Sequence, residues 1–169
     1  KQDSTFLNTH LNVNLKYQIK NNANLFVSFD SENSENNTKT SSNNISTYNN
    51  YFLGFGYEYK ILKNDLFRND LFFIKINPSF GKRKTIDNAS QQIKIATTIA
   101  YLLDLNRKNS IYFRNETGIL NSTNYFDNEL YRIGGNNSIR GFNEQSIFVK
   151  KYLLQNIEFR YQTSKSSYM

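Results

Sequence analysis

The segment that decides the fold is Tyr51-Phe-Leu-Gly-Phe-Gly-Tyr-Glu-Tyr-Lys-Ile61, in which large apolar side chains alternate with small or charged ones. Successive side chains of a β-strand point to opposite faces of its sheet. A period of two sustained over this length therefore predicts a strand with one apolar and one polar face. The odd positions supply the apolar face here, and the even positions from Phe52 to Lys60 supply the other.

The same alternation recurs along the chain and predicts an all-β fold, an antiparallel meander of long amphipathic strands. Seven strands are predicted, at 4–19, 24–31, 48–62, 68–84, 91–105, 109–121 and 147–163. Several of them are longer than the ~9 to 11 residues with which a tilted strand crosses a bilayer. Short connections (21–23, 62–68, 106–108) are expected to alternate with longer loops (31–48, 86–90, 122–146), which is typical of an outer-membrane barrel.

Strand parity predicts the face on which each side chain lies, and a register slip of one residue would exchange the two sets. We expect Leu53, Phe55, Tyr57, Ile74, Ile95, Ile99, Ile157 and Phe159 to point outward. We expect Gly54, Glu58, Lys75, Lys94, Arg114, Glu116 and Glu158 to point inward. Pro78 lacks a backbone donor, so a bulge or an exposed strand end is expected there. The polar stretch from Ser31 to Asn50 is expected to be a mobile surface loop.

Composition narrows the class of protein further. The 169 residues suit one domain (1–169), and no run approaches the ~20 apolar residues of a transmembrane helix. The chain has no cysteine and a single histidine, His10, so neither a disulfide nor a His/Cys metal site is expected. A net charge of +7 is a feature of proteins that bind nucleic acid. Its basic residues are spread along the chain, which disfavours that partner, and no catalytic motif is present.

A second informative stretch joins Gly134 and Gly135 to Ile139-Arg-Gly-Phe142. Arg140 carries a permanent charge and a rigid fork of donors, although it lies between apolar residues and turn-forming glycines. Such a group requires a fixed carboxylate partner. The site residues predicted from this motif are Gly134, Gly135, Ile139, Arg140, Gly141 and Phe142.

The run from Glu129 to Phe142, followed by the strand Leu153 to Tyr161, resembles the BamA/TamA superfamily of outer-membrane assembly and translocation barrels, the bacterial surface antigen type. The resemblance implies that the loop 122–146 folds back into a barrel lumen, where its arginine meets acidic residues of the inner wall. Arg140 matches that arginine, and Glu158 has the parity to be its partner. The implied function is insertion or translocation of proteins at the Gram-negative outer membrane, without enzymatic activity or cofactor.

The resemblance also implies what would surround this chain. It would supply about seven strands, the sixth to the twelfth, of a sixteen-stranded barrel preceded by POTRA domains, to which nothing in the chain corresponds. The implied partners are outer-membrane lipid, client proteins and accessory lipoproteins. Two alternatives remain at this point. One is a passive porin-like channel, and the other is a soluble β-sheet binding module, which the mean hydropathy of -0.67 and the positive net charge favour.

Overall fold

The protein is described by a computed structural model over residues 6–36, 45–62, 70–136, 138–164 and 167–168. It is all-β and consists of a meander of antiparallel strands. The long strands are β1 (Phe6–Lys20), β2 (Ala23–Asn36), β3 (Tyr48–Leu62), β4 (Asp70–Lys84), β5 (Ala89–Asp104), β6 (Asn109–Ser122) and β9 (Lys151–Ser164). Between β6 and β9 lie a 3-10 turn (Asp127–Glu129) and the short strands β7 (Tyr131–Ile133) and β8 (Ile147–Val149), which pair with each other.

The sheet is open. Its order is β1-β2-β3-β4-β5-β6-β9-β10, where β10 (Ser167–Tyr168) is a two-residue strand. Within the described ranges, β1 pairs only with β2. No helix in these ranges is long and apolar enough to cross a membrane. The predicted antiparallel meander is thus confirmed.

Strand register confirms the predicted division into two faces. Glu58 pairs with Lys75, and Lys75 pairs with Thr98 on the next strand. Thr98 in turn pairs with Glu116. Directly paired residues share a face of the sheet, so the side chains predicted to point inward lie on one face. The side chains predicted to point outward lie on the other, which is rich in exposed Leu, Ile, Phe and Tyr.

The polar face is concave. The Lys94 ammonium lies 3.8 Å from the carboxylate of Glu32, although the two residues are on β5 and β2. Following the pairing from Lys94 across β4 and β3 leads to Ser28, four residues from Glu32. In a flat sheet their backbone positions would be about 19 Å apart, farther than the two side chains can reach. The sheet must therefore curve around its polar face.

Glycines on the concave face make room for aromatic rings from neighbouring strands. A Cβ atom on Gly118 would lie 2.3 Å from the ring of Tyr152, its partner on β9. The pairs Gly56 with Phe26 and Gly81 with Phe52 repeat this arrangement on β2, β3 and β4. Aromatic rings laid across glycines of a neighbouring strand cover exposed backbone where a sheet bends. These pairs therefore account for part of the buried layer on the concave side.

Several predicted boundaries are wrong. β2 continues to Asn36 rather than ending near Ser31, because Glu32 and Ser34 are buried on the concave face. The connection between β2 and β3 therefore begins after Asn36 and not at Ser31. Residues 37–44, which make up most of the expected mobile loop that remains, lie outside the described ranges. The predicted loop 86–90 is replaced by a tight turn in which the Thr85 amide donates to the Asn88 carbonyl. The expected alternation of short and long connections is less regular as a result.

The prediction for Pro78 is also wrong. The residue lies inside β4 and pairs in register with Ile95 of β5. On the other side, pairing with β3 is interrupted between Gly54–Ser79 and Tyr57–Ile76 without any register shift. The missing proline N–H therefore costs contacts with one neighbour only, and no bulge is needed.

The predicted strand 147–163 divides into two. Residues Ile147–Val149 form β8, which pairs with β7 inside the loop, and β9 begins at Lys151. Apolar residues occur on both sides of Lys150 and Lys151, so the sequence reads as one long apolar segment and does not mark the break. The loop between β6 and β9 thus contains its own short hairpin.

Candidate functional site: a loop docked on the concave face

The loop between β6 and β9 docks through a short segment, Phe126 to Glu129, which we call the anchor turn. The Glu129 amide donates to the Phe126 carbonyl at 3.1 Å, and the Phe126 amide donates to the Glu129 side chain at 3.0 Å. These reciprocal bonds satisfy backbone groups that a single helical turn leaves open. They also fix the direction of the Glu129 carboxylate, which points toward the sheet.

Glu129 makes a buried ion pair with Arg83 of β4. The Arg83 guanidinium donates to Glu129 Oε1 at 2.6 Å, and the two side chains are 4% and 1% exposed. Gln92 of β5 donates to the second carboxylate oxygen at 2.9 Å. The guanidinium also lies 4.4 Å from the centre of the Phe126 ring and donates to the Asn124 carbonyl. A buried charge is stable only with such partners, so this pair fixes the anchor turn against the sheet.

Asn128 provides a second buried attachment. Its side-chain amide donates to Ser34 Oγ and to the Ser46 carbonyl, both at 2.7 Å. Its own carbonyl accepts from the Tyr48 hydroxyl at 3.0 Å and from the Asn8 amide at 3.2 Å. The residue is 2% exposed, and buried amides are costly unless they are bonded in this way. The anchor turn therefore reaches one side chain on each of five adjacent strands, Asn8, Ser34, Tyr48, Arg83 and Gln92.

Aromatic contacts attach β7 of the short hairpin to β9 and to β1. The ring of Tyr131 in β7 meets that of Tyr152 in β9 edge to face, with 5.2 Å between centroids. Its hydroxyl donates to the Ile119 carbonyl at 3.4 Å. Burial raises the pKa of Tyr131 to about 12, with a smaller contribution from Tyr152. On the same hairpin, the Arg132 guanidinium lies 4.6 Å from the ring centre of Phe6 in β1.

The described residues 134–136 and 138–146 form a compact segment closed by backbone bonds from the Gln145 amide to the Gly134 carbonyl and from the Ser146 amide to the Asn143 carbonyl, which we call the tip segment. Gly134 and Gly135 have φ values of +117° and +95°, which favour glycine. The Gly134 amide donates to Ser138 Oγ at 2.7 Å, and the Gly135 amide donates to the Ile139 carbonyl at 3.2 Å. The glycine pair predicted from the sequence therefore makes the tight turn that presents Ile139 to Phe142.

Arg140 is exposed in this turn and lies on the wall of the same cavity as Glu158, on the concave side. The two residues do not form an ion pair in the described part of the chain. Glu158 instead accepts from Arg160, two residues along β9, at 2.8 Å. Parity places Glu158 and Arg160 on the same face, so this local pair forms without bringing in the loop. Arg140 and Glu158 line the same cavity, but the predicted direct bond between them is not formed in the described part of the chain.

The other motif residues stay near the surface. Ile139 is half-buried, Gly141 has φ +91°, and the Phe142 side chain is 55% exposed. His10 lies on the concave face with its Nε2 3.6 Å from Glu32. No cluster of three or more metal-binding side chains occurs in the described ranges.

Sequence reasoning did not assign the residues that attach the loop. Glu129 begins the run that carries the family resemblance, and aromatic residues lie close to it in the sequence, at Tyr125, Phe126 and Tyr131. That pattern marks a candidate for burial, but it does not identify Arg83 as the partner. Asn128 had no signal at all in so asparagine-rich a chain.

No protein-family model, curated protein or solved structure matches this chain.

Proposed function

We propose that this chain forms part of the wall of an outer-membrane β-barrel that inserts or translocates proteins, as its resemblance to the BamA/TamA superfamily implies. One observation carries the proposal. The loop that contains the Ile139–Phe142 motif docks, through its anchor turn, onto the polar, concave face of a sheet whose other face is apolar. A barrel in a bilayer requires an apolar outer band and tolerates polar side chains inside. The arrangement of faces supports that use of the sheet.

The slant of the apolar band supports the proposal quantitatively. At the end of the sheet near residues 123–150, the band begins at Phe29 on β2 and at Leu153 on β9. Following the pairing from Phe29 leads to Asn121 on β6, whereas Leu153 pairs with Thr117, four residues away. The edge of the band therefore shifts along the strands as it crosses the sheet.

The opposite edge shifts in the same direction. Ala23 is the apolar position of β2 nearest this edge, and following the pairing from it leads to Asn115 on β6. Tyr161, the last apolar position on this face of β9, pairs with Asn109, six residues away from Asn115. Shifts of four and six residues over five strand spacings correspond to a band inclined by roughly 30 to 40° to the pairing direction. Strands of membrane barrels tilt by about 35 to 45°, so a level bilayer would meet this sheet along its apolar band.

The docked loop favours an assembly or translocation barrel over the porin-like alternative. A passive channel requires an open lumen, whereas here the anchor turn occupies the concave side across five strands. The buried Arg83–Glu129 pair makes this occupation a fixed feature of the fold. In the proposed function, the loop sets the shape of the lumen and presents the motif beside β9.

Membrane behaviour tests the barrel. Membranes from cells that express the full natural protein are washed with carbonate, and the protein is run on a denaturing gel with and without heating. We expect retention in the membrane fraction and faster migration of the unheated sample. Release by carbonate together with identical migration would exclude a barrel and leave the soluble binding module.

Function is tested separately with Arg140→Ala in the full natural protein. Levels of other outer-membrane and secreted proteins are measured in cells that depend on the variant. We expect these levels to fall, with Glu158→Gln giving a smaller decrease, and Arg107→Ala in the β5–β6 turn serving as the matched control. Normal levels with Arg140→Ala would contradict a role for the motif in assembly. A rise in conductance on deletion of the loop, without any such decrease, would favour the porin-like channel.

A further inference from the structure

A groove on the apolar outer face has a mixed lining that the proposed function does not explain. It has a volume of about 830 Å³ and lies across β2 to β6. One part is formed by apolar side chains, Phe29, Leu53, Phe80 and Ile93. The other part is polar and is formed by Tyr51, Lys82, Gln91, Asn121 and Thr123. The groove therefore spans the edge of the apolar band.

Lys82 gives the polar part a positive charge. No ion pair of Lys82 occurs in the described ranges, and no carboxylate lines the groove among the residues described there. Lys84 is two residues further along β4 and therefore lies on the same face. The Phe80 side chain, 58% exposed, is the member of the apolar part that precedes Lys82 on the same face of β4. An anionic group beside Lys82 would thus have apolar surface directly adjacent to it.

We propose that this groove binds a phosphorylated glycolipid in the leaflet at this end of the sheet, an inference that rests on the proposed function. Lys82 would bind the phosphate, because ammonium groups attract phosphate as point charges. The side-chain amides of Gln91 and Asn121 supply donors and acceptors for sugar hydroxyl groups. The apolar rows from Phe29 to Ile93 would contact the acyl chains. A glycerophospholipid needs fewer of these polar groups, so the lining fits a glycolipid better.

The test uses a fluorescent reporter in the groove. Phe80→Trp is introduced into the full natural protein, which is reconstituted in phosphatidylcholine vesicles with brominated acyl chains, and the signal of the unsubstituted protein is subtracted. Bromine quenches the indole when labelled lipid fills the groove. Unlabelled lipid A, a phosphorylated glycolipid, is then included at increasing fractions. We expect it to relieve quenching more than its mole fraction alone predicts, and unlabelled phosphatidylglycerol to relieve it only in proportion.

Two lysine variants in the same reporter background complete the test. Lys82→Gln should lower the preference for lipid A about fivefold, the factor for one lysine near an anionic lipid surface. Lys75→Gln, on the opposite face of the same strand, removes the same charge and should leave the preference unchanged. Equal relief by phosphatidylglycerol, or equal preference in both variants, would overturn the glycolipid site while leaving the barrel intact. Absence of quenching by any lipid would overturn the barrel as well.

Discussion

Glu129→Gln is the substitution that most directly tests how the loop is attached. It keeps the shape of the side chain and removes the charge that Arg83 neutralises at 2.6 Å. Removing one partner of a buried ion pair costs about 3 to 5 kcal/mol, since the other charge stays buried without compensation. We expect the lower end, about 3 kcal/mol, because the amide oxygen can still accept one hydrogen bond from Arg83. That corresponds to a docking equilibrium weakened roughly a hundredfold.

Hydrogen exchange measures this change locally. The Phe126 amide donates to the Glu129 side chain, and the Glu129 amide donates to the Phe126 carbonyl, so both are protected only while the turn is docked. In Glu129→Gln their exchange should accelerate about a hundredfold, whereas amides in the centre of β5 should be unaffected. Glu144→Gln is the matched control. It removes an exposed carboxylate of the tip segment, and exposed groups of this kind contribute about 1 kcal/mol or less.

A double-mutant cycle separates the ion pair from other effects. Arg83→Met alone leaves Glu129 buried without its cation, and the combination with Glu129→Gln leaves no buried charge at this position. The loss of docking free energy in the double variant should be smaller than the sum of the two single losses. Additive losses, or protection of the Phe126 amide in Glu129→Gln equal to that of the unsubstituted protein, would refute the role of the pair.

Three further substitutions test the apolar face of the sheet, the packing on its concave face and the buried tyrosine of β7. Phe55→Arg places a charge at the middle of the apolar band and should cost about 2 to 4 kcal/mol of folding free energy in vesicles, measured by urea titration; an unchanged titration would show that this face does not meet lipid. Gly118→Ala should cost about 1 to 3 kcal/mol, because the new Cβ meets the Tyr152 ring at 2.3 Å, and a retained unfolding midpoint would contradict that contact. The pKa of Tyr131, raised by burial from 10.0 to about 12, means that its contribution to docking is complete below pH 10 and is lost as the pH rises through 12. Tyr131→Phe should abolish that alkaline loss of amide protection, and a variant that loses protection over the same range would assign the loss to another group.

The two faces of the sheet could be predicted from the sequence because the period of two is a local property. Leu53 and Glu58, for example, are separated by an odd number of positions on one strand, and their opposite faces follow from that count alone. Strand ends were harder to predict. β2 extends through a polar run to Asn36 because Ser34 bonds to a residue 94 positions away, which no local pattern encodes.

The site was predictable only in part, for the same reason. Gly134 and Gly135 indicated the tight turn, and parity placed Glu158 on the concave face, where it lines the same cavity as Arg140. The bond actually made by Glu158 goes to Arg160, because a neighbour on the same strand needs no ordering of a loop to reach it. The anchor turn depends on Arg83, whose partner lies 46 positions along the chain. A single sequence does not reveal pairings of that kind.

The attachment of Asn128 has a consequence for the order of folding. Its carbonyl accepts a hydrogen bond from Asn8, 120 positions earlier in the chain, and contacts between such distant residues are slow to form because the intervening chain must first be ordered. The docking surface also exists only after β1 to β5 have paired side by side. The anchor turn therefore docks late and only on a correctly registered sheet. A slip of one residue in any of these five strands would turn its contact side chain to the opposite face, so the turn docks fully only when all five strands are in register.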